Sequence, residues 1–96
     1  MIEVRETEAY ADWFASLRVL QARARVLVRI RRLSLGNAGD VKAVGEGVSE
    51  LRIDYGPGYR VYFVRRGALL IVLLGGGDKR SQRRDIAAAL ELAKEV

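Results

Sequence analysis

The part of the chain after residue 50 constrains the fold most, because it has the pattern of consecutive antiparallel strands joined by short turns. Apolar and polar residues alternate from Leu51 to Tyr55, the period of a strand with one buried face. The turn sequence Gly56-Pro57-Gly58 joins this strand to a second one over residues 59–64, and Arg66-Gly67 marks the next turn. Residues 69–74 are apolar without alternation, which is typical of a central strand covered on both faces.

Two helices are expected before this sheet. After a short strand over Ile2–Arg5, Thr7 is a suitable N-cap for a first helix. The inner face of that helix, at spacings i, i+3, i+4 and i+7, is formed by Tyr10, Trp13, Phe14 and Leu17. A second helix is expected over residues 19–33, and Gly36 should end it. The residues expected on its inner face are Leu20, Ala24, Leu27 and Ile30, widened by Val26 and Leu33.

A third helix is expected at the C-terminus. Gly75-Gly76-Gly77 should end the long apolar strand, and Asp78 or Ser81 should cap the helix. Its inward residues are Ile86, Leu90 and Ala93. With a further strand over Asp40–Val44, the order is β-α-α-β-β-β-β-α in one domain over residues 1–96. This is an α+β fold: two N-terminal helices and one C-terminal helix pack on a small antiparallel sheet that is mixed at its N-terminal strand.

Composition excludes several classes of function. The chain has no cysteine and no histidine, so it has no thiolate metal site and no imidazole acid–base chemistry, and we expect neither a metal nor a cofactor. The first ten residues contain no apolar signal core, and the apolar run over Ala68–Leu74 is too short to span a bilayer. We therefore expect a cytoplasmic protein without a membrane partner.

The charge balance points to an anionic partner. Seventeen Lys and Arg residues against twelve Asp and Glu residues give a net charge of +5. This balance is compatible with nucleic acid, an anionic membrane or an acidic protein, and does not choose among them. Several cations occupy positions that the core pattern does not require: Arg52, Arg60, Lys79, Arg80 and Arg83. Their clustering favours a polyanion, with RNA as the first choice.

A second basic group is expected on the second helix. At 100° per residue, a narrow stripe opposite the predicted inner face is formed by Arg18, Arg25, Arg29 and Arg32. This stripe is either a solvated helix face or a contact for an RNA backbone or an acidic partner.

Three motifs, in this order of elements, resemble a known family. They are Glu50-Leu51-Arg52, the run GYRVYF at residues 58–63, and the run GGDKRSQRRDI at residues 76–86. Together they are similar to the RelE/ParE superfamily of bacterial toxins, and within it to the HigB-like, phage-related addiction module killer branch. The resemblance implies a RelE-like fold and a toxin of a type II toxin–antitoxin system. It also implies a cognate antitoxin with a helix-turn-helix DNA-binding domain, which would cover the basic sheet face or displace the terminal helix.

Two activities follow from the resemblance. RelE-type members cut messenger RNA on the ribosome and so inhibit translation, which would make this chain a metal-independent endoribonuclease. ParE-type members inhibit DNA gyrase without enzymatic chemistry. A third alternative is a member that has lost its chemistry and retains only antitoxin binding.

The resemblance also suggests the catalytic residues. Arg60 matches the arginine that follows Gly-Tyr in RNA-cleaving members, and would stabilise the charge that builds on the phosphoryl oxygens. Arg52 and Lys79 match basic positions on the preceding strand and after the long strand, and would grip the phosphates. The alternative for each is a surface cation, with Arg60 paired to a neighbour such as Asp54. The ribonuclease interpretation requires the three cations to converge on one phosphate, whereas a ParE-type interpretation leaves them unexplained.

Further RNA contacts are expected from side chains around this group. Tyr55 and Tyr62 are candidates for stacking on single-stranded RNA, unless they are ordinary half-buried sheet tyrosines. Arg80 and Arg83 would contact the backbone. RNA-cleaving relatives often carry a tyrosine or histidine in the C-terminal segment as acid or base, and this chain has neither there. Asp54 and Tyr55 are the nearest substitutes, because Tyr59 should face the other side of its strand.

Overall fold

A five-stranded mixed sheet with three α-helices forms the protein, in the element order that the sequence predicts. The structure is a computed structural model that describes residues 1–96. Its elements are β1 (Glu3–Glu6), α1 (Glu8–Ser16), α2 (Leu20–Ser34), β2 (Val41–Gly45), β3 (Val48–Ile53), β4 (Tyr59–Arg66), β5 (Leu70–Gly77), a 3₁₀ turn (Lys79–Ser81) and α3 (Gln82–Ala93). No helix among them combines the length and the apolar character needed to cross a membrane.

The sheet has the strand order β1-β5-β4-β3-β2. Strands β2 to β5 pair antiparallel with their neighbours, and β1 pairs parallel with β5. The predicted α+β fold with a sheet mixed only at its N-terminal strand is therefore confirmed. Because β4 and β5 lie inside the sheet, their side chains meet helices on both faces, which explains their nearly continuous apolar sequence.

Two apolar clusters lie on opposite faces of the sheet. Val61 and Phe63 of β4 belong to the cluster that includes Tyr10 and Leu17 from the N-terminal helical region. Tyr62 and Val64 alternate with them and belong to the cluster that α3 covers. The strict alternation of side chains along β4 therefore decides which residues α3 buries.

Helix α1 begins and packs as predicted. The Thr7 hydroxyl oxygen accepts a hydrogen bond from the Tyr10 backbone N–H at 3.2 Å, and the hydroxyl donates to the Leu73 carbonyl of β5 at 2.8 Å. The cap thus fixes both the start of α1 and its position on the sheet. Tyr10 and Leu17 are buried, while Trp13 and Phe14 are half-buried and pack against the same cluster.

The predicted inner face of α2 is correct in part. Val26, Leu33 and the half-buried Ile30 pack against the core as predicted, whereas Leu20, Ala24 and Leu27 are exposed. Leu20 is 78% exposed and Leu27 is 53% exposed, while Ala22, which was not predicted, is buried.

The predicted stripe of solvated arginines on α2 is wrong at Arg29. Its guanidinium donates to the backbone carbonyl of Arg52 and, at 3.1 and 3.3 Å, to those of Ala38 and Asp40. Because apolar residues occur on more than one side of α2, hydrophobic burial alone does not fix which side of the helix faces the sheet. The hydrogen bonds from Arg29 to backbone carbonyls help to set that orientation. The other members of the stripe, Arg18, Arg25 and Arg32, are exposed.

β5 ends within the glycine run, as predicted, but it includes all three glycines and ends at Gly77. A Cβ on Gly76 would lie 2.3 Å from the Trp13 ring, and a Cβ on Gly77 would lie 1.8 Å from an Asp85 carboxylate oxygen. Glycine at these two positions lets α1 approach one face of the strand and α3 approach the other.

Candidate functional site

The three cations predicted as catalytic residues line one cleft. Arg52, Arg60 and Lys79 surround a cavity of about 380 Å³ at the end of the sheet where β3 ends and β4 begins. The other residues of the cleft are Asp40, Ile53, Asp54, Gly56, Pro57 and Gly58. Residues far apart in the sequence, from the α2–β2 loop to the 3₁₀ turn, are thereby brought together.

Strand pairing places the two arginines side by side. Arg52 of β3 is the direct cross-strand partner of Arg60 of β4, and Arg60 in turn lies opposite Gly77 of β5. The hairpin between β3 and β4 therefore brings two positive charges next to each other. Side chains of directly opposed residues in an antiparallel pair lie within contact distance, so two positive charges here repel unless a negative charge compensates them.

Lys79 reaches the cleft because of two local features. Asp78 caps the 3₁₀ turn, accepting hydrogen bonds at 2.9 Å from the Arg80 backbone N–H and at 3.3 Å from that of Ser81. The lysine stem then passes over Gly58, where a Cβ would lie 3.1 Å from the Lys79 Cγ. Gly58 also has a φ of +81°, a backbone conformation that favours glycine. The turn between β3 and β4 therefore leaves space for the lysine.

Glu50 is a residue of this site that the sequence analysis did not single out. Its side chain is fully buried on the same face of the sheet as the two arginines. One carboxylate oxygen, Oε1, lies 3.4 Å from Arg52 Nε and 3.7 Å from Arg60 Nε. The other, Oε2, accepts hydrogen bonds from Tyr62 Oη at 3.1 Å and from Gln82 Nε2 at 2.7 Å. The negative charge that compensates the arginine pair therefore comes from within the protein.

The predicted partner of Arg60 was Asp54, and the structure has Glu50 in that role instead. The physical reason is that β3 ends at Ile53, so Asp54 lies beyond the strand and is exposed to solvent. Glu50 lies within the strand, two residues before Arg52, and shares its face. That spacing within Glu50-Leu51-Arg52 was the available indication, but the sequence does not show that α3 buries this face.

The arginines differ in exposure. The Arg60 side chain is only 5% exposed, whereas that of Arg52 is 36% exposed. Arg60 Nη1 donates a hydrogen bond to the carbonyl of Tyr59 at 3.3 Å. Neither Arg60 Nε nor Glu50 Oε1 has a hydrogen-bond partner, although both atoms are buried. Arg60 therefore borders the cleft from beneath, while Arg52 reaches further into solvent.

Tyr62 was expected to be exposed and to stack on RNA, and this prediction is wrong. Its ring is fully buried beneath α3, and its hydroxyl binds Glu50. Burial, and then the neighbouring Glu50 carboxylate, raise the pKa of the Tyr62 hydroxyl above its ordinary value. Tyr62 therefore remains protonated and donates a hydrogen bond to Glu50 as part of the core.

Tyr55 lies apart from the cleft, on the α2 side of the sheet. Its hydroxyl donates to Gln21 Oε1 at 2.8 Å, and the Arg25 guanidinium covers its ring at 4.9 Å from the centroid. Tyr59 lies on the face of the sheet opposite Arg60, as predicted, with its ring 6.5 Å from that of Trp13 in α1. Of the two substitutes for a catalytic acid or base, Asp54 lines the cleft and Tyr55 does not.

Arg80 and Arg83 belong to a different surface. They line a more open depression of about 740 Å³ at the start of α3, together with Asp78, Ser81, Arg84 and Ala87. Neither residue lines the cleft of Arg52, Arg60 and Lys79. Their predicted role in contacting an RNA backbone therefore concerns a second basic surface, which meets the cleft at the 3₁₀ turn.

Comparison with known proteins gives two matches. Residues 12–95 match the family described as phage-derived protein Gp49-like (DUF891). A protein of Haemophilus influenzae (strain ATCC 51907 / DSM 11121 / KW20 / Rd), described as an uncharacterized protein, is 45% identical over 95 residues, which cover 99% of this chain and 96% of the relative. No solved structure matches the chain.

Proposed function

The chain belongs to the Gp49-like family of phage-derived proteins, which falls in the RelE-like toxin group, and on that premise we propose that it is the toxin of a type II toxin–antitoxin pair. We further propose that it is an endoribonuclease that cuts messenger RNA at the ribosome and so inhibits translation. The observation that carries the proposal is the convergence of Arg52, Arg60 and Lys79 on one cleft.

RNA carries its own nucleophile, so the protein needs few parts to cut it. The ribose 2′-oxygen attacks the adjacent phosphorus, the bond from phosphorus to the 5′-oxygen breaks, and a 2′,3′-cyclic phosphate and a 5′-hydroxyl result. The 2′-hydroxyl proton leaves to a base, and the departing 5′-oxygen takes up a proton. The protein must hold the three reacting atoms in line and neutralise charge on the phosphoryl oxygens.

The cleft supplies groups for these tasks. Arg60, held at the base of the cleft, would bind the phosphoryl oxygens in the transition state, because its charge is permanent and its donors are planar. Arg52, which is more exposed, would hold the backbone phosphate. Lys79 would bind a phosphate or protonate the leaving oxygen. Asp54 would take the 2′-hydroxyl proton, since it is a carboxylate of the cleft and exposed to solvent.

Two partners follow from the proposal. One is messenger RNA in the ribosome. The other is a helix-turn-helix antitoxin that would neutralise the toxin by covering the cleft or by displacing α3. Displacement of α3 would disturb the site directly, because it would break the hydrogen bond from Gln82, the first residue of that helix, to Glu50.

A cell-free translation reaction tests the activity. Wild-type protein, Arg60→Lys, Arg60→Ala and the control Arg65→Ala are added, and the message is mapped by primer extension. Arg65 is an exposed arginine of the same strand, so its removal changes charge without touching the cleft. We expect breaks that require the ribosome, a loss of at least about 100-fold in cleavage for Arg60→Ala, and a wild-type pattern for Arg65→Ala. Arg60→Lys keeps the charge of this buried position and shows whether the planar guanidinium is needed.

Other outcomes contradict the proposal. Arrested synthesis with an intact message would indicate a block of translation without cleavage. Unaffected synthesis would redirect the search to DNA gyrase, with a supercoiling assay as the next experiment.

A further inference from the structure

Glu50 is a buried charged residue beside the cleft that the proposed reaction does not use. We propose that Glu50 is a positioning residue, whose buried carboxylate holds the guanidinium groups of Arg60 and Arg52 side by side at the cleft. This inference rests on the proposed function, which it deepens. It is carried by the burial of Glu50, by the contacts of its two oxygens, and by an unpaired donor and acceptor beside each other.

Burial is the first argument. Removing a carboxylate from water is costly unless opposite charges and hydrogen bonds compensate. Glu50 is fully buried, and its compensation comes from two guanidinium groups and two neutral donors. An apolar side chain at position 50 would fill the same space without any buried charge to compensate. The carboxylate therefore has a role that depends on its charge and its orientation.

The contacts of the two oxygens are the second argument. Tyr62 Oη and Gln82 Nε2 both bind Oε2, and they approach from β4 and from α3. With Oε2 held from two elements, the carboxylate cannot rotate freely, and Oε1 stays directed at Arg52 and Arg60. Tyr62 and Gln82 thus fix the position of the Glu50 carboxylate, and the carboxylate in turn positions the two guanidinium groups.

The unpaired atoms are the third argument. Glu50 Oε1 and Arg60 Nε are both buried without a hydrogen-bond partner, 3.7 Å apart. Their interaction is therefore an attraction between charges and not a closed hydrogen-bonded pair. Such a contact retains the Arg60 guanidinium at the base of the cleft while its Nε stays buried against Glu50. Nη2, which makes no hydrogen bond within the protein and is not one of the buried unpaired atoms, would then engage an arriving phosphate.

The test measures the arginine side chains directly. In ¹⁵N-labelled protein, the Nε–Hε correlations of Arg52 and Arg60 are assigned through Arg52→Lys and Arg60→Lys and then compared in Glu50→Gln and Glu50→Asp. Glutamine keeps the size of the side chain and one acceptor oxygen for Tyr62 and Gln82 but removes the charge, whereas aspartate keeps the charge on a shorter side chain. The control is Glu91→Gln, which removes an exposed carboxylate of α3 that pairs only with Lys94.

A fluorescent RNA oligonucleotide and the translation assay provide two further readouts. In Glu50→Gln we expect shifted and broadened Nε–Hε signals of Arg60, RNA affinity equal to or above that of the wild type, and cleavage lowered at least tenfold. Unchanged or higher affinity is expected because the substitution removes a negative charge beside the cleft. A merely structural role would lower affinity and cleavage together. Glu50→Asp should recover part of the cleavage.

The outcomes separate this inference from the proposed function. If Glu50→Gln leaves the Arg60 signal and the cleavage rate within about twofold of the wild type, the positioning role is refuted and the ribonuclease proposal stands. If the wild type cleaves no RNA while Glu50→Gln still displaces the Arg60 signal, the proposed function is refuted. The conclusion that Glu50 positions the Arg60 guanidinium would still stand.

Two milder variants cover the case in which Glu50→Gln does not fold. Tyr62→Phe and Gln82→Ala each remove one hydrogen bond to Oε2 and leave the carboxylate charge in place. Each should broaden the Arg60 signal and lower cleavage several-fold. An unchanged Arg60 signal in both variants would refute the positioning role.

Discussion

Substitution of Gly76 by alanine should destabilise the protein through one steric contact. The added Cβ would lie 2.3 Å from the Cδ2 and Cε3 atoms of Trp13, more than an ångström inside ordinary contact distance. Gly76 lies in β5 and does not have a positive φ. Alanine there therefore carries none of the backbone strain expected at glycines with a positive φ. The indole must therefore leave its place, or α1 must move off the sheet.

The size of the effect follows from the surroundings of Trp13. The ring is half-buried, 5.9 Å from Tyr10 and 6.5 Å from Tyr59 between centroids, so part of the strain is relieved by movement toward solvent. Overpacking of this kind costs roughly 1–3 kcal/mol. For a domain of this size, a loss of about 2 kcal/mol lowers the Tm by about 8–16 °C.

The assay uses Trp13 as the reporter, because it is the only tryptophan of the chain. Thermal unfolding gives the Tm, and the emission maximum reports whether the indole has moved into water. Gly36→Ala is the matched control, since nothing lies within 4 Å of a Cβ there and φ is +89°. It should cost about 1 kcal/mol through backbone conformation and leave the emission unchanged. A Tm of Gly76→Ala within about 2 °C of the wild type, with unchanged emission, would refute the close approach of α1 to β5.

Two further predictions concern the cleft and the buried tyrosines. RNA binding should weaken as salt rises, because phosphate contacts release counterions. For three cations bound to single-stranded RNA, the slope of the logarithm of the binding constant against the logarithm of the salt concentration is about −2. In a fluorescence anisotropy titration, Arg52→Ala or Lys79→Ala should each make this slope about 0.7 shallower. Equal slopes in the wild type and both variants would contradict the assigned contacts. Burial raises the pKa of both Tyr10 and Tyr62, so the folded state keeps their protons where the unfolded state loses them. Stability measured by urea unfolding should therefore fall as the pH rises above the ordinary tyrosine pKa of 10.0, and Tyr10→Phe or Tyr62→Phe should each reduce that fall.

The elements of the fold were predictable because their causes are local. The turn Gly56-Pro57-Gly58, the alternation along β3 and the Thr7 cap each depend on residues within a few positions of one another. The same turn predicts an antiparallel hairpin that brings Arg52 near Arg60, and the structure gives the register that pairs them directly.

Prediction failed where distant elements compete for the same residue. Apolar side chains lie around much of α2, so periodicity alone selected Leu20 and Leu27 for the inner face. In the structure Ala22, which was not predicted, is buried together with the predicted Val26. The Arg29 guanidinium then binds backbone carbonyls of β3 and of the loop before β2. None of these carbonyls can be associated with Arg29 from sequence spacing, because they depend on where the sheet lies.

The order of the helices and strands and the glycine turns could be read from the amino-acid sequence, because each depends on neighbouring residues and on strand period. The direct pairing of Arg52 with Arg60 is seen only in the folded sheet. That α3 covers the face of the sheet carrying Glu50 and Tyr62 became apparent only from the packing of the folded chain. The same sequence pattern would suit an exposed glutamate and an exposed tyrosine. Burial depends on the helix packed above them, and it converts Glu50 from a surface charge into the buried counterion of Arg60.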